Sequence, residues 1–175
     1  MPNPETSAPE FSRMIDRRHL KAAPVELVAT EAECAALATR FAIVRIDSLA
    51  ATLDLVADGE AVDVTGTMRA DIVQPCAISG EDLAVKIREN VTFRFVPELA
   101  EGAPEEEITL DSPILDEIEY GGTTFDLGEA VAQSLALAID PFLTGPEAEA
   151  ARAKHGLSDE GPKGALAEAL AALKK

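Results

Sequence analysis

Residues 62–96, VDVTGTMRADIVQPCAISGEDLAVKIRENVTFRFV, decide the fold. Val62, Val64, Gly66, Met68, Ala70 and Ile72 fall on one side of an alternating run, and Asp63, Thr65, Thr67, Arg69 and Asp71 on the other. Strand side chains change face at every residue, so the run has one buried and one wet face. Leu83, Val85, Ile87, Val91, Phe93 and Phe95 repeat the pattern against Lys86, Arg88, Asn90, Thr92 and Arg94. Glu89 is the one polar residue on the second apolar side and marks a bulge or the sheet's rim. Between the runs, Pro75 and Gly80 punctuate a loop that carries Cys76.

Upstream, Leu49, Ala51, Leu53, Leu55 and Ala57 alternate with Ala50, Thr52, Asp54 and Val56, which predicts a third strand closed by an Asp58-Gly59 turn. Three consecutive strands on short loops predict an antiparallel meander. Thr30 and Glu33 form a capping-box pattern that opens a helix over 31–40. Cys34, Leu37, Ala38 and Phe41 share one stripe of it, with Cys34 a small core residue. Residues 11–21 hold Arg13, Arg17, Arg18 and Lys21 against Asp16 alone. The first half of 11–30 reads as an edge strand interrupted by Pro24, and its bases as either a solvated face or a basic arm. Residues 1–10 read as a disordered leader ahead of a single domain over 11–175.

Downstream, residues 98–111 read as an acidic loop, and no calcium-loop spacing is present. Glu105, Glu106 and Glu107 are its densest cluster, either solvated or a surface for a partner. Residues 114–120 and 123–125 flank Gly121-Gly122 and predict a short hairpin. Asp126 and Glu129 predict the start of a second helix over 127–139, ended by Pro141. Leu137 and Ile139 widen its apolar stripe, which predicts a largely buried helix. Residues 147–154 read as partly helical. Residues 165–175 read as a short helix too marginal to stand alone, which must dock on this domain or on a partner.

With 47% apolar residues in 175, the chain has the composition of a globular domain with a real core. No apolar run approaches the ~20 residues that span a bilayer. No signal peptide is visible, and two cysteines are too few for a disulfide framework, so a cytoplasmic protein without a membrane partner is the default expectation. Net charge is −17, and residues 97–119 supply nine acids and no Lys or Arg. That balance disfavours non-specific nucleic-acid binding but leaves room for a local contact.

The search for catalysis is negative: there is no phosphate-cradling Gly-rich loop, dinucleotide fingerprint or nucleophile elbow. His19 and His155 fall in segments read as exposed. Tyr120 is the single tyrosine and there is no Trp, so platforms for stacking bases are scarce. Cys76 lies beside Glu81 and Asp82, whose charge disfavours a thiolate. Its second-ligand position holds Ser79. Cys76 is therefore structural or vestigial, redox-sensitive, or a ligand shared with another chain.

The pattern V-x-G-x-M-x-A-x-I-V-x-x-C-x-x-S over 64–79, followed by FDLGEAVAQSLALAIDPF over 125–142 and ALAEALAALKK over 165–175, resembles the YceD family of large ribosomal RNA subunit accumulation proteins. The resemblance covers about 11–175. It implies a C-x-x-C pair in the hairpin loop, with further cysteines towards the C-terminus, as a zinc site. Here Cys76 matches the first position, Ser79 replaces the second and no cysteine follows, so a degenerate motif without bound zinc or other cofactor is expected.

The resemblance implies a non-enzymatic role in large-subunit ribosomal RNA accumulation, and no catalytic residues. The partner would be a ribosomal RNA precursor or a basic ribosomal protein, with no small-molecule substrate. Arg13, Arg17, Arg18, Arg69, Lys86, Arg88 and Arg94 are the candidate contacts for RNA or another partner, and Glu105, Glu106 and Glu107 the candidate acidic surface. The alternative is a protein-interaction module with no RNA role. The expected fold is α+β: a curled antiparallel β-sheet, barrel-like if it closes, packed with two main helices and a short C-terminal helix.

Overall fold

The alternation in 62–96 becomes the two longest strands. The computed structural model describes residues 10–98 and 116–156. Its strands are β1 (Met14–Asp16), β2 (Val25–Val28), β3 (Arg45–Asp58), β4 (Ala61–Pro75), β5 (Asp82–Pro97), β6 (Asp116–Tyr120) and β7 (Thr124–Asp126). Its helices are α1 (Glu31–Arg40), α2 (Leu127–Ala138) and α3 (Ala148–Lys154). Five strands form one sheet in the order β2-β3-β4-β5-β6, while β1 pairs with β7 in a separate two-stranded sheet. The described residues fall into two compact units. One runs to Gln74 and resumes over Ala84–Asp140; the other joins Pro75–Leu83 to the chain from Pro141 onward.

In the first unit the apolar faces meet in one core. Leu49, Ala51 and Leu53 of β3, Val62, Val64, Met68, Ala70 and Ile72 of β4, and Ile87, Val91, Phe93 and Phe95 of β5 are buried. A register shift between Ile46 and Ser48 lets Ile46 and Leu49, three positions apart, both point inward. Gly66 pairs with Leu53, and a Cβ there would collide with the Thr52 carbonyl oxygen and the Leu53 backbone. The glycine of the V-x-G-x-M pattern is thus the close-approach point of β3 and β4.

Two helices close this core. Thr30 caps α1 with the reciprocal Glu33 bonds expected, and Cys34, Leu37 and Ala38 are buried. Asp126 caps α2 by accepting from the Gly128 and Glu129 amides, and Leu127, Ala130, Val131 and Leu135 enter the core. Phe125 stacks on Phe95 at 4.2 Å, which ties β7 to the sheet. Among the described residues, no helix is long and apolar enough to cross a membrane.

Four expectations are corrected. The sheet is not wholly antiparallel, because β6 runs parallel to β5 from Phe93↔Asp116 to Pro97↔Tyr120. The two strands are further apart in sequence than the dozen residues that a parallel pair requires. Among the described residues the sheet is open, with β2 and β6 at its edges, and forms no closed barrel. The Gly121-Gly122 hairpin does not form: β6 and β7 join different sheets, and β7 takes β1 as its partner. Finally, Leu137 does not widen the buried stripe of α2: it is 82% exposed, although six of the helix's twelve residues are buried. The leader, most of the acidic loop with Glu105, Glu106 and Glu107, and the helix expected over 165–175 lie outside the described residues.

Candidate functional site

The wet face of the sheet carries four of the seven candidate cations, and three of them are open to solvent. Arg69 on β4 and Lys86 and Arg88 on β5 are exposed. Two ion pairs join these neighbouring strands: Lys86 Nζ lies 3.9 Å from Asp71 and Arg94 Nη1 lies 2.7 Å from Asp63. Both pairs fit one antiparallel register, and that register sets Arg69 across from Arg88. Like charges opposite each other on a sheet are unfavourable. Among the described residues, neither arginine has an ion-pair partner.

The other four cations are engaged. Arg13 holds Glu33 through both terminal guanidinium nitrogens, Nη1 and Nη2, at 2.6 and 3.0 Å, and its guanidinium lies over the Phe11 ring. The Arg13 hydrogen bond holds the Glu33 carboxyl down to about 2. Arg17 contacts Glu60 at 3.1 Å and Arg18 contacts Asp16 at 2.7 Å. Arg94 bridges Asp58 at 2.6 Å and Asp63 at 2.7 Å. The N-terminal segment is stitched to the start of α2 as well. Ser12 Oγ donates to Asp126 Oδ2, the Arg13 amide to Asp126 Oδ1, and the Leu127 amide to the Arg13 carbonyl. Sequence reading missed a further clamp, Arg40 on both oxygens of Glu129 at 2.9 and 2.7 Å. The Glu129 carboxylate thus accepts from Arg40 of α1 as well as from Gln133 of α2. Such a pair, 89 positions apart, leaves no local sequence signal.

In the second unit, Cys76 is the centre of a hydrogen-bonded turn. Its amide donates to the Glu81 carbonyl at 2.7 Å, and its carbonyl accepts from Gly80, whose φ of 76° makes the reversal possible. Its Sγ accepts from the Ser79 amide at 3.4 Å and the Gly145 amide at 3.3 Å. Glu81 Oε1 accepts from Ser79 Oγ and from the Glu147 amide, and the Ala77 amide donates to the Leu143 carbonyl.

Burial pushes the thiol up, but donors from Ser79, Gly145 and Ile78 outweigh it and bring the pKa down to about 6. The Ser79 hydroxyl has one proton for both Cys76 Sγ and Glu81 Oε1, so the backbone amides are the steadier cause. The expectation that neighbouring acids disfavour the thiolate is thus reversed, since Glu81 is itself occupied by donors. The thiol is nonetheless buried, at 4% exposure, which keeps it from reagents.

These residues do not fit a zinc ion. The sulfur already accepts two amides, Ser79 offers a neutral hydroxyl, and no group of three or more His, Cys, Asp or Glu side chains among the described residues is placed to hold a metal. Residues 143–147 are instead tied to the turn by hydrogen bonds.

A family model described as "Large ribosomal RNA subunit accumulation protein YceD" matches residues 64–174, and the chain belongs to that family. The match takes in β4, the Cys76 turn, β5 and α2. No curated protein and no solved structure matches the chain. The family's description associates it with the accumulation of large-subunit ribosomal RNA and names no reaction.

Proposed function

We propose that this member of the YceD family supports large-subunit ribosomal RNA accumulation as a non-enzymatic factor, touching the RNA backbone with Arg69, Lys86 and Arg88. The observation that carries the reading is the opposition of Arg69 and Arg88, neither of which has an ion-pair partner among the described residues. A phosphate placed between two opposed guanidinium groups relieves their repulsion and is held by charge-assisted hydrogen bonds. Contacts of this kind position an RNA without reading its bases. With a net charge of −17, the rest of the surface repels RNA and confines the contact to this face. In this reading Arg13, Arg17, Arg18 and Arg94 serve the fold, because carboxylates hold them at 2.6 to 3.1 Å, whereas the Lys86 ammonium, 3.9 Å from Asp71, is held loosely.

Binding to transcripts of large-subunit ribosomal RNA, followed across a potassium chloride series, tests the proposal. Three phosphate contacts predict a log–log salt slope of about −2 to −3. Each single substitution, Arg69→Ala, Lys86→Ala or Arg88→Ala, should flatten it by roughly one. Salt-insensitive binding, or slopes unmoved by all three substitutions, would contradict it. Contact with a basic ribosomal protein would then lead, favoured by the nine unopposed acids of 97–119.

A further inference from the structure

Two residues that break the sequence pattern line the same groove. Glu89, the polar residue on the apolar side of β5, is exposed, and so is Leu137 on a helix expected to be buried. Both border a cavity of about 640 Å³ between α2 and the β5–β6 edge. Val91, Phe93, Ile118 and Ala130 give it an apolar floor. Glu89, Asp116 and Glu117 give it an acidic rim, and among the described residues none of the three has an ion-pair partner. β6 pairs with β5 only from Phe93 to Pro97. Over 84–92 the outer edge of β5 therefore has no ladder partner among the described residues.

We propose that this groove takes an extended, lysine- or arginine-rich protein segment, added along β5 as a strand with an aliphatic side chain against Leu137. An open strand edge supplies main-chain hydrogen bonds, and alternate side chains of an added strand face the same way. One set reaches the apolar floor, and basic residues along the segment meet Glu89 at one end and Asp116 and Glu117 at the other. The charge complementarity selects a basic protein segment, and the same acids repel a polynucleotide. The groove lies on the helix-covered side of the sheet, so the inference goes beyond the RNA contact and does not depend on it.

Fluorescence anisotropy of a labelled KVKLKVK heptapeptide against the full chain tests this. Glu89→Lys should weaken binding at least tenfold and Leu137→Ala about threefold, while Arg88→Ala leaves it unchanged. N-methylation of alternate peptide amides should abolish binding, and amides within 84–92 should gain hydrogen-exchange protection when the unmodified peptide is added. Equal affinity for EVELEVE, no effect of Glu89→Lys, or no gain in protection would overturn it. Self-association abolished by Leu137→Ser would overturn it in favour of a second copy. Binding that appears only after 108–115 is replaced by Gly and Ser would assign the groove to the chain's own segment.

Discussion

Arg13 and Arg88 carry the same charge and sit in opposite settings. Arg13 is closed on three sides: Glu33 takes both of its terminal nitrogens, Phe11 lies beneath its guanidinium, and Asp126 holds its backbone amide. Arg88 faces solvent across from another arginine. The N-terminal segment carries its cations more densely in sequence, yet the sheet has more that are available. Charge counted along a chain measures what the fold has to neutralise; pairing decides what is left for a partner.

The largest effects should come from the closed set. Arg13→Ala and Arg40→Ala each remove a two-pronged carboxylate clamp. Discounted for the exposure of these side chains, each should cost about 1–2 kcal/mol in urea unfolding. No loss from either would erase the distinction between the two sets. The same contrast appears with pH. Glu33 has its carboxyl lowered from 4.5 to about 2 in the folded chain. A depressed carboxyl stabilises fully above its unfolded value, and that contribution is lost as pH falls from about 4.5 through about 2. Glu33→Gln should flatten the acid limb of a Tm–pH curve in that window, and Arg88→Ala should leave it alone.

The cysteines sharpen the point that surroundings, not burial alone, set a group's state. Both are buried, but burial raises the Cys34 thiol while donors lower the Cys76 thiol from 9.0 to about 6. The Cys76 contribution is therefore fully present above about pH 9 and lost as pH falls towards 6. Cys76→Ser should remove a rise in stability between pH 6 and 9, and Cys34→Ala should not. An unchanged slope in Cys76→Ser would mean that the two thiols behave alike. The smallest effect belongs to the open set. Arg88→Thr relieves the opposition to Arg69 and should raise stability by a few tenths of a kcal/mol, while RNA binding weakens.

Much of this was readable from local pattern. The alternation of β4 and β5, the Thr30–Glu33 capping box and the Asp126 cap are set by neighbours in sequence, and each stands where the pattern places it. Alternation also puts Arg69, Lys86 and Arg88 on the wet face. What it could not reveal is pairing at a distance. The Arg13–Glu33 and Arg40–Glu129 clamps, the Gly145 amide on Cys76 and the parallel docking of β6 all join residues that no short window contains. The Gly121-Gly122 turn misled for the same reason: its flanking strands found better partners elsewhere.

The most direct test is the ratio of large- to small-subunit ribosomal RNA in cells lacking this protein. The intact chain, an Arg69→Ala/Lys86→Ala/Arg88→Ala chain and a Cys76→Ser chain would each be supplied at equal level. The ratio should fall without the protein, recover with the intact and Cys76→Ser chains, and stay low with the triple substitution although that chain is folded. Full rescue by the triple substitution, or no fall at all on removing the protein, would contradict the account.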